Sequence, residues 1–597
     1  MNSVVLLVVL PFAGALVALV GKVTHAERVT SVLAALCLAA MVVPLVLTFP
    51  AVWENPGPGS VGVHSVTTAV QAAGDTPGPG LVYQLGGWPE PYGIALYLDG
   101  LAWLSSALVV VISTLVALAS FSSRAYRAHY FFFLLLLVAG MEIVVLTGDI
   151  FTMFVAFEIV AIAAYVLIAF DRTDEGLLAS LKYLLLSSVG ILFFLFGVFL
   201  IYRDFGSLSL AVIRDQIAAG TDFTETTSIH LAVAALCVGI GVRTAFIPFH
   251  TWLPEAHAYA PHPVSAILSG VLIKVSFLAM IRLIATFRAD YLNNLLLWIG
   301  AITSVVAVVW ALSQRDAKRL LAYHSISQMG YILAAFGAAA TLSATALYAH
   351  ALHHALFKSL LFLVAGAAIH MTGERDLFRM PAVGRRAPAL AIAFLAGALS
   401  IAGIPPFNGF ASKQLISSAL AGHPAYILLW ITAVGTTASF IKASRIVIPF
   451  GRPHADVETQ SKPGVLLQLS VTILALLTMA TGIFARPLAA LYARLLGPAA
   501  GSAGEAVHTL DPASRAAAGT QPAEAAAGTL QAWHPFAADK LLGTLPIVAA
   551  GVVLYLLLMS RAGHAVAHRI EGLAPQLRTV LLFFVLGLGL FAAVAYL

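Results

Sequence analysis

Residues 247–274 read IPFHTWLPEAHAYAPHPVSAILSGVLIK, a segment that interrupts an apolar stretch and then resumes it. Pro248 ends one candidate helix, because proline lacks the amide donor and clashes with the preceding turn. Lys274 lies well inside the next apolar stretch. A second segment, GIPPFNGFASK at residues 403–413, contains a similar proline break; Arg243 lies just before the first break and Lys413 just after the second. Two broken helices, each close to a buried cation, are typical of membrane transporters built from two repeats.

The composition around these segments is that of a polytopic membrane protein. Of the 597 residues, 60% are hydrophobic and 10% are charged, whereas soluble domains carry about 25% charged residues. This excludes a soluble dehydrogenase, a nucleic-acid-binding protein and a secreted disulfide scaffold, despite a formal net charge of +5. Cys37 and Cys237 lie in apolar stretches without a CxxC or a metal-ligand spacing. We therefore expect no cofactor and no metal in this chain.

A helix needs roughly 20 apolar residues to cross about 30 Å of hydrocarbon. This criterion predicts sixteen spans, of which the twelfth is interrupted by the break at residues 403–409. The predicted spans are 3–20, 29–49, 98–120, 130–147, 150–170, 181–202, 229–249, 261–286, 292–312, 319–340, 343–370, 388–420, 425–450, 464–486, 541–560 and 577–597.

The distribution of Lys and Arg predicts the orientation, since cytoplasmic loops are enriched in these residues. If Lys22 and Arg28 are cytoplasmic, most other Lys and Arg fall in loops on the same side. The chain is then expected in the inner (plasma) membrane of the cell, with both termini on the outer side. This scheme assigns Lys318 and Lys442 to inside loops and Arg282 to an outside segment.

Three segments are predicted to lie outside the bilayer. The loop at residues 50–97 is rich in Pro and Gly and is expected to be irregular, and residues 498–537 are expected to form a flexible outside loop. Residues 207–220 are mildly amphipathic, which fits a helix along the membrane surface or a plain loop equally well.

Several ionisable side chains lie inside the predicted spans, where each costs about 3 kcal/mol unless it pairs, faces water or moves ions. Glu158 needs a partner from another span, either for packing alone or to exchange a proton. Glu142 is a further buried carboxylate, for which we expect a Lys or Arg nearby. Lys274 is mid-span, and Lys413 follows the second break, where unwound backbone must be buried in protein or line water.

The eleventh span carries His350, His354 and Lys358 at intervals of four residues, so they follow one face in steps of about 6 Å. Histidine titrates near neutral pH, and a wetted line of His, His and Lys offers successive proton acceptors. A metal site or a polar helix seam is the alternative, although no acidic or thiol ligand accompanies the histidines at metal spacing. His353 lies on a neighbouring face and serves packing in this interpretation.

These residues resemble the antiporter-like membrane subunits shared by respiratory complex I, membrane-bound hydrogenases and Mrp-type cation/proton antiporters. The resemblance extends over about residues 95–450. It is carried by GDIFTMFVAFE (148–158), the segment at 247–274, DAKRLLAYHSISQMGYIL (316–333), HALHHALFKSLLFL (350–363) and GIPPFNGFASK (403–413).

The resemblance implies an all-α protein with a core of fourteen helices that holds two inverted five-helix repeats, about spans 4–8 and 9–13. Helices 7 and 12 would be interrupted, and two extra C-terminal helices could dock a neighbouring subunit. The domains would be 1–97 (N-terminal helices and loop), 98–450 (translocation core), 451–497 (core helix 14), 498–537 (loop) and 538–597 (C-terminal helices).

The resemblance also implies movement of protons or Na⁺ along a central hydrophilic axis. By motif match the ion-translocating residues would be Glu158, Lys274, His350, His354, Lys358 and Lys413, with Glu142 as a further candidate. One position departs from the family pattern, since Arg243 stands where the family usually has the seventh-span lysine. Arginine stays protonated, so it could hold Glu158 ionised without releasing a proton itself. We therefore predict that Glu158 and Arg243 are paired.

Three functions remain open at this stage. The chain could be an ion-translocating subunit of a redox-driven pump or of a cation/proton antiporter. It could instead be the membrane partner of a soluble enzyme, as in inorganic-carbon uptake systems, or a structural subunit whose first half-channel is blocked by Arg243. The sequence contains no Walker motif, dinucleotide fingerprint or cluster ligands. Any catalysis is therefore expected in partner subunits, and the His250–His262 loop could serve as an access route.

Overall fold

The structure is a computed structural model that describes residues 3–56, 81–123, 126–219, 227–340, 342–449, 462–496, 533–572 and 577–594. Helices dominate it. Thirteen helices within the described residues are long and apolar enough to cross a membrane. The prediction of a polytopic all-α membrane protein is therefore confirmed, with one small β-hairpin in addition.

Within the described residues, the first half of the chain contains twelve helices and the two strands of the hairpin. They are α1 (Ser3–Val23), α2 (Glu27–Ala40), α3 (Val42–Glu54), β1 (Leu81–Gln84), β2 (Ala95–Leu98), α4 (Gly100–Ser120), α5 (Ala128–Leu146), α6 (Ile150–Ile168), α7 (Asp174–Phe205), α8 (Leu210–Ala218), α9 (Thr227–Thr244), α10 (Leu253–Tyr259), α11 (His262–Ile267) and α12 (Ile273–Thr286).

The described part of the second half contains twelve more helices. They are α13 (Asn293–Ser313), α14 (Ala317–Gly337), α15 (Ser343–Thr372), α16 (Pro388–Ala402), α17 (Asn408–Ala419), α18 (Ala425–Ala443), α19 (Val465–Ile483), α20 (Ala485–Leu496), α21 (Ala538–Leu542), α22 (Leu545–Leu558), α23 (Arg561–Glu571) and α24 (Leu577–Ala593). Short 3₁₀ turns occur at Leu85–Gly87, Asp290–Leu292 and Ser444–Ile446.

Each of the sixteen predicted spans coincides with a helix or a helix pair, but three of them fail the test of length and composition. Helix α14 has 21 residues, yet its serine, histidine and glutamine side chains make it too polar. Helix α16 and the apolar part of α24 are too short. Because α14 is buried almost throughout, its polar side chains face protein rather than lipid.

Both predicted helix breaks are confirmed, and side chains replace the lost backbone bonds. Helix α9 ends at Thr244 and α10 begins at Leu253. Across this break the Trp252 indole donates to the Val242 carbonyl at 2.7 Å, and the Ile247 amide donates to the Thr303 hydroxyl at 3.2 Å. Unwound backbone at membrane depth requires such partners.

The second break separates α16 from α17. Gly403 ends α16 with φ +78°, a conformation that favours glycine. The Ser400 hydroxyl donates to Asn408 Oδ1 at 2.6 Å and accepts from the Gly409 amide at 3.0 Å. Asn408 Nδ2 in turn donates to Thr481 Oγ1 of α19 at 2.9 Å. The break is therefore held to a neighbouring helix by side chains.

Two loop predictions need revision. Residues 81–98 were expected to be irregular, but β1 and β2 form an antiparallel hairpin in which Leu81 pairs with Leu98. The β-forming residues Val82, Tyr83 and Tyr97 outweigh the flanking Pro and Gly. Residues 57–80 and most of the 498–537 loop lie outside the described residues. Residues 210–218 form helix α8, so the helical alternative is correct, and its apolar face is buried.

The C-terminal helices pack on the core of the same chain. Helix α22 contacts α18 so closely that a Cβ added to Gly551 would lie 2.6 Å from Thr437 Cβ. Helix α24 packs against α7 and α9, and the Phe584 ring lies 5.3 Å from the Phe249 ring within the first break. Helices α22 and α24 therefore pack on α18 and on the first broken region, respectively.

Candidate ion-translocation site

The predicted ion pair between α6 and α9 is confirmed. Arg243 Nη2 lies 3.0 Å from Glu158 Oε1, and the guanidinium carbon lies 4.9 Å from the centre of the Phe157 ring. Arg243 is almost fully buried. A buried guanidinium is costly without a carboxylate partner. Glu158 therefore compensates the positive charge of Arg243.

Glu158 itself points away from the core of the chain. Its side chain is 37% exposed, and on α6 it shares its face with the exposed apolar residues Val155 and Ile162. The three positions follow the helical repeat. The carboxylate therefore sits in an outward apolar surface.

Lys274 of α12 and Lys358 of α15 are both buried, and hydroxyl groups connect them. Lys274 Nζ donates to the Ser269 carbonyl, and Ser269 Oγ lies 2.7 Å from Ser325 Oγ of α14. Ser325 Oγ donates to the Leu321 carbonyl at 3.1 Å, which also accepts from Lys358 Nζ at 2.5 Å. A polar connection thus runs from one lysine to the other across three helical segments.

A local π-helical turn contributes to this connection. Residues Leu268–Leu272 between α11 and α12 form the π-helical segment, and such turns are frequent at functional sites. A Cβ added to Gly270 in this turn would lie 2.1 Å from Ser359 Oγ of α15, so the two segments are in close contact. The π-turn could not be predicted from the sequence, because nothing in the hydropathy pattern distinguishes it from α-helix.

The histidines of α15 have the spacing that was predicted. The His350 and His354 rings are 6.3 Å apart and nearly parallel, and both side chains are fully buried. His350 Nδ1 lies 2.9 Å from Ser412 Oγ, and its Nε2 lies 3.1 Å from Gln328 Oε1. Neither ring nitrogen of His354 or of His353 has a hydrogen-bond partner among the described residues.

Lys413 of α17 lies next to Ser412, the partner of His350. Its ammonium donates to the Ile401 carbonyl at 2.6 Å and lies 5.2 Å from the centre of the Tyr331 ring. The Tyr331 ring is 5.7 Å from the His350 ring. Tyr331, Gln328 and Ser412 were not identified from the sequence. Gln328 and Tyr331 lie in the motif at residues 316–333, and Ser412 lies in the motif at residues 403–413.

Glu142 does not have the basic partner that was expected. Its Oε2 accepts from Ser106 Oγ of α4 at 2.6 Å, and Oε1 has no hydrogen-bond partner among the described residues. The prediction of a Lys or Arg neighbour was wrong, because α5 turns this position toward α4, where a serine stands. Among the residues that the structure describes, no hydrogen bond or ion pair joins Glu142 to His350, His354, Lys358 or Lys413.

Three basic residues assigned to loops are instead buried in helices. Lys442 donates to the carbonyls of Ala311, Leu312 and Gln314 at the end of α13, where a cation complements the helix dipole. Lys318 donates to the Ala260 carbonyl. Arg282 Nη2 pairs with Asp99 Oδ1 at 3.0 Å. Hydropathy predicted the span ends poorly here: Lys318 and Arg282 lie within four residues of a predicted end, and the helix that carries Lys442 ends at Ala443 rather than at residue 450.

Comparison with known proteins matches this arrangement to one family. The pattern of the family described as NADH:quinone oxidoreductase/Mrp antiporter, transmembrane, matches residues 147–441. The chain is 32% identical to a Na(+)/H(+) antiporter subunit of Alkalihalophilus pseudofirmus, over 68% of this chain and 84% of that protein. The chain belongs to the NADH:quinone oxidoreductase/Mrp antiporter family.

Other members of the NADH:quinone oxidoreductase/Mrp antiporter family show similar coverage. An NADH-quinone oxidoreductase subunit of Desulforudis audaxviator is 30% identical, over 64% of this chain and 78% of that protein. A chain of the membrane-bound sulfane sulfur reductase, an archaeal respiratory membrane complex, superposes with a TM-score of 0.72 at 27% identity. That superposition covers 83% of this chain and 97% of the other.

The matched family region contains all but one of the candidate residues. Glu158, Arg243, Lys274, the α15 ladder of His350, His354 and Lys358, and Lys413 lie within residues 147–441. Glu142 lies before the matched region, and helices α21–α24 lie after it. Because Glu142 also lacks a connection to the ladder, it is the candidate with the least structural support.

Proposed function

We propose that the chain is an ion-translocating subunit of a multi-subunit membrane complex that moves H⁺ or Na⁺, either a redox-driven pump or a cation/proton antiporter. The observation that carries the proposal is the connected series of buried polar groups from Lys274 through Ser269, Ser325 and Lys358. The α15 ladder continues it from Lys358 toward Lys413. Titratable groups at this depth are tolerated chiefly where they serve ion movement.

The two halves of the chain carry different roles in this proposal. Arg243 is a fixed cation that holds Glu158 by Coulomb attraction and does not exchange its proton. Lys274, Lys358 and Lys413 can exchange protons, and each donates to a backbone carbonyl rather than to a carboxylate. Movement of a proton or cation past them therefore breaks no ion pair. The histidines of α15 supply acceptors between Lys358 and Lys413.

The proposed partners are other membrane subunits, and the outward face of α6 supports this. A carboxylate that faced lipid directly would cost about 3 kcal/mol, whereas a neighbouring subunit could supply polar contacts. Exposed apolar residues beside Glu158 make the same face suitable for helix packing. We place the chain in the inner cell membrane with both termini outside, on the basis of the Lys and Arg distribution.

A second candidate function is favoured by the Glu158–Arg243 pair itself. Because the arginine cannot release its proton, the first half could serve only to hold the assembly together. The second half would then transport alone, or the chain would couple ion flow to a soluble enzyme. Measurements on first-half variants separate these alternatives.

The test uses the assembled complex in proteoliposomes, with H⁺ movement followed by a pH-sensitive dye and Na⁺ movement by ²²Na⁺. We expect Lys413→Met to abolish coupled ion movement and to leave the amount of assembled complex unchanged. Lys182→Met is the matched control, since Lys182 pairs with Glu255 at 2.6 Å where both are partly exposed. Full ion movement in Lys413→Met would contradict the proposal.

A further inference from the structure

A cavity of about 550 Å³ lies between the second broken helix and the C-terminal extension. Its lining mixes polar and apolar side chains and comes from two distant parts of the chain. Residues from α17 and α18 form one wall, and residues 539–547 form the other. The polar side chains that line it include Lys413, Gln414, Ser417, Tyr426, Asp539 and Thr544.

The extension is held in this position by contacts at several levels. The Phe536 ring stacks at 5.9 Å on Phe410, which lies one turn before Lys413. Gly551 packs closely on Thr437 of α18. Further along α22, Tyr555 OH lies 3.4 Å from Arg445 Nη2. The wall formed by residues 539–547 is therefore fixed to α17 and α18 on both sides.

The cavity connects the surface of the chain with a buried cation. At the mouth, Asp539 and Lys540 have side chains that are 70% and 47% exposed. At the inner end, Lys413 is half-buried. Its aliphatic stem packs against Gly403, where an added Cβ would lie 3.2 Å from Lys413 Cδ. The volume holds on the order of ten water molecules. The Lys413 ammonium, the polar side chains among the lining and the charged mouth favour water over lipid tails.

We propose that residues 539–547 form the outer wall of a water-filled vestibule through which ions reach or leave Lys413. The extension thereby controls access to the last lysine of the second half. The family match ends at residue 441, so this wall lies outside the matched region. The part of the proposal that concerns ions rests on the proposed function, whereas the water-filled vestibule does not.

The vestibule is tested by thiol labelling of the assembled complex. Cys37 and Cys237 are first replaced by Ala, and a single cysteine is introduced as Ser417→Cys on the cavity wall. We expect rapid reaction with a membrane-impermeant cationic methanethiosulfonate. Ser304→Cys is the control, because Ser304 is buried between α13 and α18 and bonds to Thr432. Reaction of Ser417→Cys no faster than that of Ser304→Cys would overturn the vestibule.

The role of the extension is tested by filling the cavity from the opposite wall. Thr544→Trp should slow the labelling of Ser417→Cys at least tenfold and should lower ion movement by a similar factor. Val553→Trp is the matched control, since Val553 lies on α22 and is 55% exposed away from the cavity. Unchanged labelling in Thr544→Trp would overturn the assignment of the wall. Slowed labelling with full ion movement would overturn its part in ion access.

These outcomes are distinguishable from failure of the proposed function. If the wild-type complex moved no ions, the labelling pattern would still report the vestibule. If it moved ions but Ser417→Cys were unreactive, only the vestibule would fail.

Discussion

Ser269 Oγ and Ser325 Oγ lie 2.7 Å apart and join the π-helical turn before α12 to the middle of α14. Each serine is also connected to a buried lysine through a backbone carbonyl. The Ser269 carbonyl accepts from Lys274, and the Leu321 carbonyl accepts from both Ser325 and Lys358. Hydroxyl groups can donate and accept at the same time. This pair therefore joins the polar groups that contact the two lysines.

Removing either hydroxyl should interrupt that connection. We expect Ser269→Ala and Ser325→Ala each to lower ion movement by about five-fold, since a hydrogen bond contributes on the order of 1 kcal/mol. The double variant should be no worse than either single one, because the two hydroxyls form one interaction. Ion flux in proteoliposomes gives the measurement.

Ser265→Ala provides the control for the serine variants. Ser265 is buried on the preceding helix and donates to the His257 carbonyl at 2.8 Å, away from both lysines. It should keep full ion movement. Additive losses in the Ser269 and Ser325 variants would show that the hydroxyls act separately and would contradict the bridge.

Lys358→Met is expected to abolish coupled ion movement and to leave assembly intact. Methionine keeps the length and apolar stem of lysine but has no ammonium to carry a proton. Lys442→Met is the contrasting variant, because Lys442 is also buried but caps the end of α13 through three carbonyls. It should reduce stability and leave transport per assembled complex unchanged. Equal transport losses in the two variants would mean that Lys358 is structural.

Arg243→Lys should retain ion movement but add a loss at alkaline pH that the arginine protein does not show. Lysine preserves the pair with Glu158 yet can release its proton at high pH, whereas arginine cannot.

Lys274→Ala should abolish transport, since the connection to Lys358 begins at its ammonium. Ion flux measured across a pH series distinguishes the loss at alkaline pH in Arg243→Lys from the loss at every pH in Lys274→Ala. Full activity in Lys274→Ala would instead favour a purely structural first half.

Arg282→Met should destabilise the protein by about 3 kcal/mol or more, because breaking a buried ion pair leaves an uncompensated charge. Arg282 contacts both oxygens of Asp99 and also donates to the Val145 carbonyl. Arg203→Met is the control, since its pair with Asp204 is half-exposed on the arginine side and such pairs contribute about 0–1 kcal/mol. The midpoint of thermal unfolding in detergent gives the comparison. Equal shifts for both would contradict the prediction.

The sequence predicted the helices and the breaks because these depend on neighbouring residues. A run of apolar residues long enough to cross the bilayer forms a helix whatever surrounds it. Proline interrupts a helix through its own ring, as at residues 248 and 405. The four-residue spacing of His350, His354 and Lys358 placed them on one face before any packing was known. The Glu158–Arg243 pair was predicted because each charge required a partner.

Other partners were decided by the tertiary structure, since they come from residues far apart in the chain. Glu142 bonds to Ser106 rather than to a base, because the rotation of α5 about its axis determines which neighbour it meets. Lys442 and Arg282 were assigned to segments outside the bilayer because hydropathy does not define the ends of a span to the residue; their partners come from α13 and from Asp99.

By itself, the sequence determined that this chain is a helical membrane protein with two broken helices and a line of titratable residues on the eleventh span. Hydropathy, proline geometry and helical periodicity are local properties, so they can be read along the chain. Only the tertiary structure decided that Ser269 meets Ser325 and that the C-terminal extension borders the cavity at Lys413. Both arrangements depend on how helices distant in sequence rotate and pack, which no local pattern specifies.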